Sequence, residues 1–134
     1  MTNPIIRLSN PPTIAKPNGY SHVAEVTGGK TIYISGQIAF DPSGKVVGAG
    51  DMRAQAQQIF ANLKAALGSV GADFSAVVKL TYFVVDITQM QTIREVRAQY
   101  VNMENPPASS AFEVRQLTHP DLLLEIEAIA VVPA

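Results

Sequence analysis

The chain of 134 residues contains no cysteine and no tryptophan. Without cysteine it cannot form a disulfide bond, a thiolate metal site or a cysteine nucleophile. A sequence without disulfides is compatible with a reducing compartment, so we expect a cytoplasmic location.

Long apolar runs and a basic surplus are also missing. Nowhere do about 18 apolar residues follow one another, and residues 1–12 lack the apolar core of a secretion signal. Lysine and arginine number 10 against 11 acidic residues, and the basic residues are spread along the chain. Because nucleic-acid binding requires a concentrated basic surface, we expect neither a membrane nor a nucleic-acid partner.

The sequence has no recognisable motif for a metal, a nucleotide or covalent catalysis. No carboxylate-histidine cluster has metal-ligand spacing, and neither a glycine-rich phosphate loop nor a nucleophile elbow is present. We therefore expect no cofactor. His119 lies in a predicted turn, and we interpret His22 as a surface residue or a satisfied hydrogen-bonding group.

What the chain does contain is a regular series of strand-like and helix-like segments, within a length suited to a single domain spanning 1–134. The predicted segments are strands at 5–8, 20–26 and 31–39, a helix at 51–69, a strand at 76–85, a helix from Thr88 to before Asn105, and two strands within 107–131. This β-β-β-α-β-α-β-β order predicts an α+β two-layer domain whose two helices cover one face of a mixed sheet. Because the strands are apolar on both sides, we expect self-association to cover the other face.

Three local signals refine this picture. Gly28 and Gly29 predict a tight hairpin that pairs strand 20–26 with strand 31–39. Thr88 and Gln91 match a capping box at the start of the second helix. Gly36 lies inside a strand, which indicates either a simple bulge or a close approach by another group.

The last strand carries two carboxylates on an otherwise apolar face. Alternation places Glu125 and Glu127 on the side shared with Leu123, Ile129 and Val131. Such a carboxylate lies either at a solvated sheet edge or in a cleft, where partial burial raises its pKa and suits it to proton transfer. From this strand alone, we favour the edge.

Several segments, taken in order, resemble the Rid family, also called the YjgF family. They are Lys16–Ser21, Ile34–Gln37, Gln57, Asn62–Leu63, Val77–Lys79, Val85–Asp86, Pro106–Ser110 and Leu124–Ala130. The resemblance runs from about residue 13 to residue 132. It implies a chorismate-mutase-like fold and a homotrimer with three small-molecule clefts between subunits.

The resemblance also implies hydrolysis of enamines or imines to 2-keto acids and ammonia, without metal or cofactor. In the family, a cleft arginine holds the substrate carboxylate and a glutamate on the last strand positions the attacking water. Glu125 matches that glutamate. Tyr20, Ser35 and Gly36 match the cleft lining.

The chain departs from the family at the arginine, because Ser109 stands where the resemblance places it. A serine hydroxyl offers one neutral hydrogen bond, whereas a guanidinium offers two charge-assisted ones, so carboxylate substrates are expected to bind worse. Arg94, Arg97 and Arg115 are candidate replacements, and Arg94 falls where many family members carry an asparagine. We favour the alternative that all three are solvated or pair with carboxylates such as those of Glu95 and Glu113.

Three functions remain open. The first is a hydrolase of a reactive small molecule, with Glu125 positioning water and with altered substrate choice. The second is a trimer that binds a metabolite without catalysis. The third, a ribonuclease or translation inhibitor, is suggested by the names of some relatives and is the least favoured by the charge balance.

Overall fold

The structure is a computed structural model that describes residues 5–134. Its main elements are β1 (Ile6–Ser9), β2 (Val23–Val26), β3 (Lys30–Gln37), α1 (Met52–Ser69), β4 (Val77–Val84), α2 (Met90–Arg97), β5 (Ala108–Glu113) and β6 (Leu124–Val132). Short 3₁₀ turns at Phe74–Ala76 and Ile87–Gln89 precede β4 and α2. The predicted β-β-β-α-β-α-β-β order is confirmed.

The main sheet has four strands in the order β3-β6-β4-β5. Strands β4 and β5 are parallel, and the other two pairings are antiparallel, so the sheet is mixed as predicted. β1 and β2 form a separate antiparallel pair. Because β6 supplies the partner of β3, the predicted hairpin between β2 and β3 is wrong. Gly28 and Gly29 do adopt positive φ angles of 74° and 85°, but they turn the chain from one sheet into the other.

Both helices contribute to the hydrophobic core on one face of the main sheet. Apolar residues of α1 recur at helical spacing and are fully buried, and they belong to the same core cluster as Leu80, Tyr82 and Ile126 of the sheet. Asp51 caps α1 as predicted, because its carboxylate accepts a hydrogen bond of 3.1 Å from the Ala54 N–H. The α+β two-layer fold is therefore confirmed.

The start of α2 differs from the prediction. Asp86 accepts hydrogen bonds of 3.0 Å from the Thr88 N–H and 2.6 Å from its hydroxyl, so Asp86 caps a 3₁₀ turn. Gln89 precedes α2 without a side-chain capping bond. The predicted Thr88–Gln91 capping box is wrong because Thr88 lies inside the 3₁₀ turn, and its N–H, from which the Gln91 side chain would have to accept a hydrogen bond, already donates to the Asp86 carboxylate.

A buried glutamine fixes α1 to the chain that leads into β6. The Gln55 side chain is fully buried, and it donates to the carbonyls of Gly48 and Asp121 at 3.1 and 2.8 Å. Its oxygen accepts from the Leu123 N–H at 2.8 Å. The amide therefore satisfies three backbone groups that would otherwise be buried without partners.

Within the described residues, none of the helices has both the length and the apolar character needed to cross a membrane.

Candidate functional site

Three of the predicted site residues, Ser35, Gly36 and Glu125, lie together where β3 meets β6. The register between these strands shifts between Ile34 and Gln37, so the predicted bulge is present. A Cβ atom added to Gly36 would overlap the carboxylate of Glu125. Gly36 therefore marks both a bulge and a close approach, and the sequence had indicated each as an alternative.

Glu125 lies inside the main sheet, because β6 runs between β3 and β4. The interpretation of Glu125 as a carboxylate at a sheet edge is therefore wrong. Its side chain is half-buried, whereas Glu127 is exposed. Among residues 5–134, no hydrogen bond or ion pair engages the Glu125 carboxylate. The group is thus available to bind a water molecule or a ligand.

The other three predicted site residues, Tyr20, Arg94 and Ser109, lie around a cavity of about 160 Å³. We call it the α2 cavity, and its lining comprises Asn18, Tyr20, Tyr82, Met90, Arg94, Arg97, Ser109, Ser110 and Ala111. At about 30 Å³ per water molecule in the liquid, this space equals about five waters. It suits a small organic molecule.

The segment before β2 carries Tyr20 to this cavity. Ser21 docks at the start of β5, where its N–H donates to the Pro107 carbonyl at 3.1 Å and its hydroxyl to the Pro106 carbonyl at 2.6 Å. A parallel bridge to Ala108 continues the contact. Tyr20 is thereby brought to the cavity that Ser109 also lines.

The Nε2 atom of His22 lies 2.7 Å from the carbonyl oxygen of Ala15, and the His22 and Tyr20 rings pack nearly at right angles with 5.3 Å between their centroids. The interpretation of His22 as a satisfied hydrogen-bonding group is confirmed. His22 therefore supports the wall of the α2 cavity through Tyr20.

The three candidate arginines have different environments. Arg94 and Arg115 are exposed, in agreement with the solvated interpretation. Arg97 is only 7% exposed, so the same interpretation is wrong for it. The suggested partners are also engaged elsewhere, because Glu95 pairs with Arg53 and Glu113 accepts a hydrogen bond from the Ile87 N–H.

Two buried polar groups in the cavity lining have no hydrogen-bond partner within residues 5–134, namely the Tyr82 hydroxyl and the Arg97 Nε. Burial raises the pKa of Tyr82, and the nearby charges of Arg97 and Arg94 partly offset that rise. No hydrogen bond of ordinary geometry joins the Tyr82 hydroxyl to Arg97. Tyr82 is thus a neutral phenol at physiological pH, with its hydroxyl available to donate.

The sheet separates the two groups of site residues. Residues in register share a face, and Ser109 is in register with Leu80, whose side chain packs into the core beneath the helices. Glu125 is in register with Phe83, which lies on the opposite face. A single chain therefore does not bring Glu125 and Ser109 into one site.

The face that carries Glu125 is apolar and uncovered in the single chain. Tyr33 is 79% exposed and Phe112 is 53% exposed, and the ring of Phe112 stacks on that of Phe83 at 6.2 Å between centroids. Lys79 donates a hydrogen bond of 2.9 Å to the Ser110 hydroxyl at the same surface. We call this surface the open face.

A larger cavity of about 480 Å³ lies elsewhere, and none of the predicted site residues lines it. Its lining comes from β1, α1, the 3₁₀ turn before β4 and the loop after α2. Within the described part of the chain, no group of three or more histidine, aspartate and glutamate side chains is arranged to hold a metal ion.

Comparison with known proteins identifies the family. The family model described as Endoribonuclease L-PSP matches residues 12–132. The crystal structure of YyfB from Yersinia pestis, a protein of unknown function from the Rid family, superposes with a TM-score of 0.86 at 38% identity, covering 96% of this chain and 99% of that one. The chain belongs to the Rid family. The resemblance seen in the sequence is confirmed.

Two further relatives of this Rid chain are informative, and the name of one of them states an activity. The human 2-iminobutanoate/2-iminopropanoate deaminase is 39% identical over 102 residues, which cover 76% of this chain and 73% of the human protein. Protein DfrA of Myxococcus xanthus is 39% identical over 112 residues, which cover 84% of each chain. Membership of the Rid family therefore supports an imine deaminase type of function in general.

Proposed function

We propose that this Rid chain is a cofactor-free hydrolase that deaminates a reactive imine or enamine. The single observation that carries the proposal is the placement of Glu125, whose half-buried carboxylate lies against Gly36 and has no partner among residues 5–134. A carboxylate in this setting can orient a water molecule and accept a proton from it. The deaminase names among the relatives support the same reaction type.

The proposed reaction balances without any co-reactant. An enamine first gains a proton at carbon and loses one from nitrogen, which converts it to the imine. The oxygen of water then adds to the carbon of the C=N bond, while Glu125 takes a proton from the water and passes it to the nitrogen. Glu125 next takes the hydroxyl proton of the resulting carbinolamine and gives it to the nitrogen, so that the C–N bond breaks as the C=O bond forms. The products are a carbonyl compound and ammonia, and Glu125 is returned to its starting state.

We further propose a homotrimer in which the open face of each chain is covered by its neighbours. Two observations support this assembly: the exposed aromatic side chains of the open face, and the separation of Glu125 from the α2 cavity by the sheet. Packing of three chains would place Glu125 of one chain at a cleft shared with the next. Small-molecule substrates would then bind between subunits.

Substrate choice is proposed to differ from that of relatives with an arginine at the position of Ser109. The neutral hydroxyl of Ser109 cannot form the two charge-assisted hydrogen bonds that a guanidinium donates to a carboxylate. Substrates whose carboxylate must lie beside β5 would therefore bind weakly, and other placements of the anionic group would be favoured.

The test is ammonia release from a panel of imines generated in the assay, with and without a carboxylate beside the C=N carbon. We expect wild-type protein to hydrolyse at least one member, and Glu125→Gln to lower kcat by about 10² to 10⁴, the usual contribution of a general acid–base group. Glu127→Gln is the matched control, since Glu127 is exposed on the same strand and face.

Equal losses in the Glu125→Gln and Glu127→Gln variants would argue against Glu125 as the catalytic residue. Binding of panel members without turnover would instead support a metabolite-binding trimer.

A further inference from the structure

Arg97 is an unusual residue for the wall of a cavity because most of its side chain is buried and no carboxylate among residues 5–134 pairs with its charge. It is 7% exposed, its Nε–H has no acceptor, and no carboxylate within residues 5–134 lies at ion-pair distance. Buried cations are normally paired, since removal of a charge from water is unfavourable. An anion that enters the cavity can therefore supply the partner that this charge lacks within the described residues.

The hydroxyl of Tyr82 is a second unpaired donor in the same wall. Tyr82 is 1% exposed, and its hydroxyl also lacks a partner in the part of the chain that the structure describes. A phenol and a guanidinium that both face one small cavity can donate to the two oxygens of a single carboxylate. Arg94, one helical turn before Arg97, lines the same space and adds positive potential.

The chain also keeps room for the guanidinium. Gly19 adopts a φ angle of +83°, and a Cβ atom at this position would lie 2.7 Å from Nη2 of Arg97. Any larger residue would be strained in this backbone conformation and would press on the guanidinium. The absence of a side chain at Gly19 thus leaves space for the Arg97 guanidinium.

We propose that Arg97, assisted by the Tyr82 hydroxyl, binds the carboxylate of the substrate in the α2 cavity. This inference rests on the proposed function, and it names the residues of this chain that hold the carboxylate of such a substrate. The cation that is absent at Ser109 of β5 is supplied from the last turn of α2. The anionic group consequently lies at a different place relative to the C=N bond than it would beside an arginine at Ser109.

The test measures binding rather than turnover, by calorimetry with pyruvate, its uncharged amide and inorganic phosphate as probes. Arg97→Met removes the charge and keeps an apolar side chain of similar length. We expect this change to weaken pyruvate binding at least tenfold and to leave the affinity for the amide within about twofold, because a charge-assisted contact is lost. Arg115→Met is the matched control, since Arg115 is exposed and outside the α2 cavity.

A second variant guards against a folding effect of Arg97→Met. Tyr82→Phe removes one buried oxygen and leaves the packing in place, so we expect a several-fold loss of pyruvate affinity with an unchanged Tm or a higher one. Adding Ser109→Arg to Arg97→Met returns a guanidinium to the same cavity and is expected to restore pyruvate binding.

Four results would overturn the proposal: no pyruvate binding by wild type, the same affinity in Arg97→Met, equal losses for pyruvate and its amide, or phosphate binding as tightly as pyruvate. Failure of the proposed function looks different. In that case no imine is hydrolysed, while pyruvate binding still depends on Arg97. Conversely, turnover that requires Glu125 and keeps its KM for carboxylate substrates in Arg97→Met would overturn the Arg97 assignment alone.

Discussion

The carboxylate of Glu125 fills the space that a side chain at Gly36 would need. The two residues come from β6 and β3, and the bulge between Ile34 and Gln37 brings the backbone of β3 close to the glutamate. Because glycine has no side chain, the carboxylate can lie against the strand and still be reached from the open face. The position of the Glu125 carboxylate thus depends on the absence of a side chain at Gly36.

We expect Gly36→Ala to lower activity strongly, because the added methyl group would displace the Glu125 carboxylate. Gly36 does not have a positive φ angle, so the backbone itself tolerates alanine. The predicted signature is a fall in kcat of at least tenfold with a much smaller change in Tm. Ammonia release and thermal unfolding measure the two effects.

Gly68→Ala is the control for that substitution. Gly68 lies in α1, without a positive φ angle and with open space at its Cβ position. Alanine there should leave activity unchanged and raise the free energy of unfolding by about 0.5 to 1 kcal/mol, because it favours the helix. Equal activity losses in the two variants would argue against the contact with Glu125 as the cause.

The buried side chain of Gln55 is expected to contribute strongly to stability. Gln55→Leu would leave the carbonyls of Gly48 and Asp121 and the Leu123 N–H without their partner. We predict a loss of about 3 kcal/mol in the free energy of unfolding, measured by urea denaturation. Gln57→Leu, two residues after Gln55 and only partly buried, should change the free energy of unfolding by less than about 0.5 kcal/mol. Similar losses in both variants would contradict a special role for Gln55.

The open face gives a direct test of assembly. We expect wild-type protein to be a trimer by light scattering, and Phe112→Lys to shift it to monomer, because a charge would be placed on the apolar surface that the neighbours cover. Val70→Lys is the control, since Val70 is also an exposed apolar residue but follows α1. A monomeric wild type, or a trimeric Phe112→Lys variant, would exclude the proposed interface.

The turn before α2 predicts a pH effect. Hydrogen bonds from the hydroxyl and N–H of Thr88 lower the pKa of Asp86 below its ordinary value. Since the pKa is lower in the folded state, the stabilisation is fully present above the unfolded value of about 3.9 and is lost as pH falls through the folded pKa.

Thr88→Val should therefore raise the pKa of Asp86, and NMR titration of its carboxyl carbon measures the change. The pKa of Asp73, which Ser75 lowers through the same kind of contact, should not move. An unchanged Asp86 pKa would assign the shift to the backbone N–H alone.

The sequence predicted the order of elements, the cap of α1 and the alternation of β6 because these depend on neighbours along the chain. Asp51 is three residues from the amide it caps, and Leu124 and Ile126 alternate with Glu125 within one strand. Gly36 was marked for the same reason, as a glycine inside a strand-like run. Local periodicity and local hydrogen bonding were sufficient for these features.

Strand pairing and side-chain burial were missed where distant segments decide them. The insertion of β6 between β3 and β4 removes Glu125 from the sheet edge, and no pattern within β6 reports this insertion. Arg97 is buried because the segments around Gly19 and Ser109 close over α2. Because arginine is usually exposed, its residue type gave no reason to expect burial. The only signal in the sequence was that Arg97 lies one helical turn after Arg94.

Glu125 and the α2 cavity lie on opposite sides of one sheet, and for this reason the activity per chain should depend on protein concentration. In the proposed trimer each complete site draws on two chains, so a dissociated chain would keep its fold and lose its activity. Activity per chain would then fall on dilution by mass action, and a ligand that spans both chains would hold the assembly together. The fraction of active protein would therefore equal the fraction that is assembled into trimers.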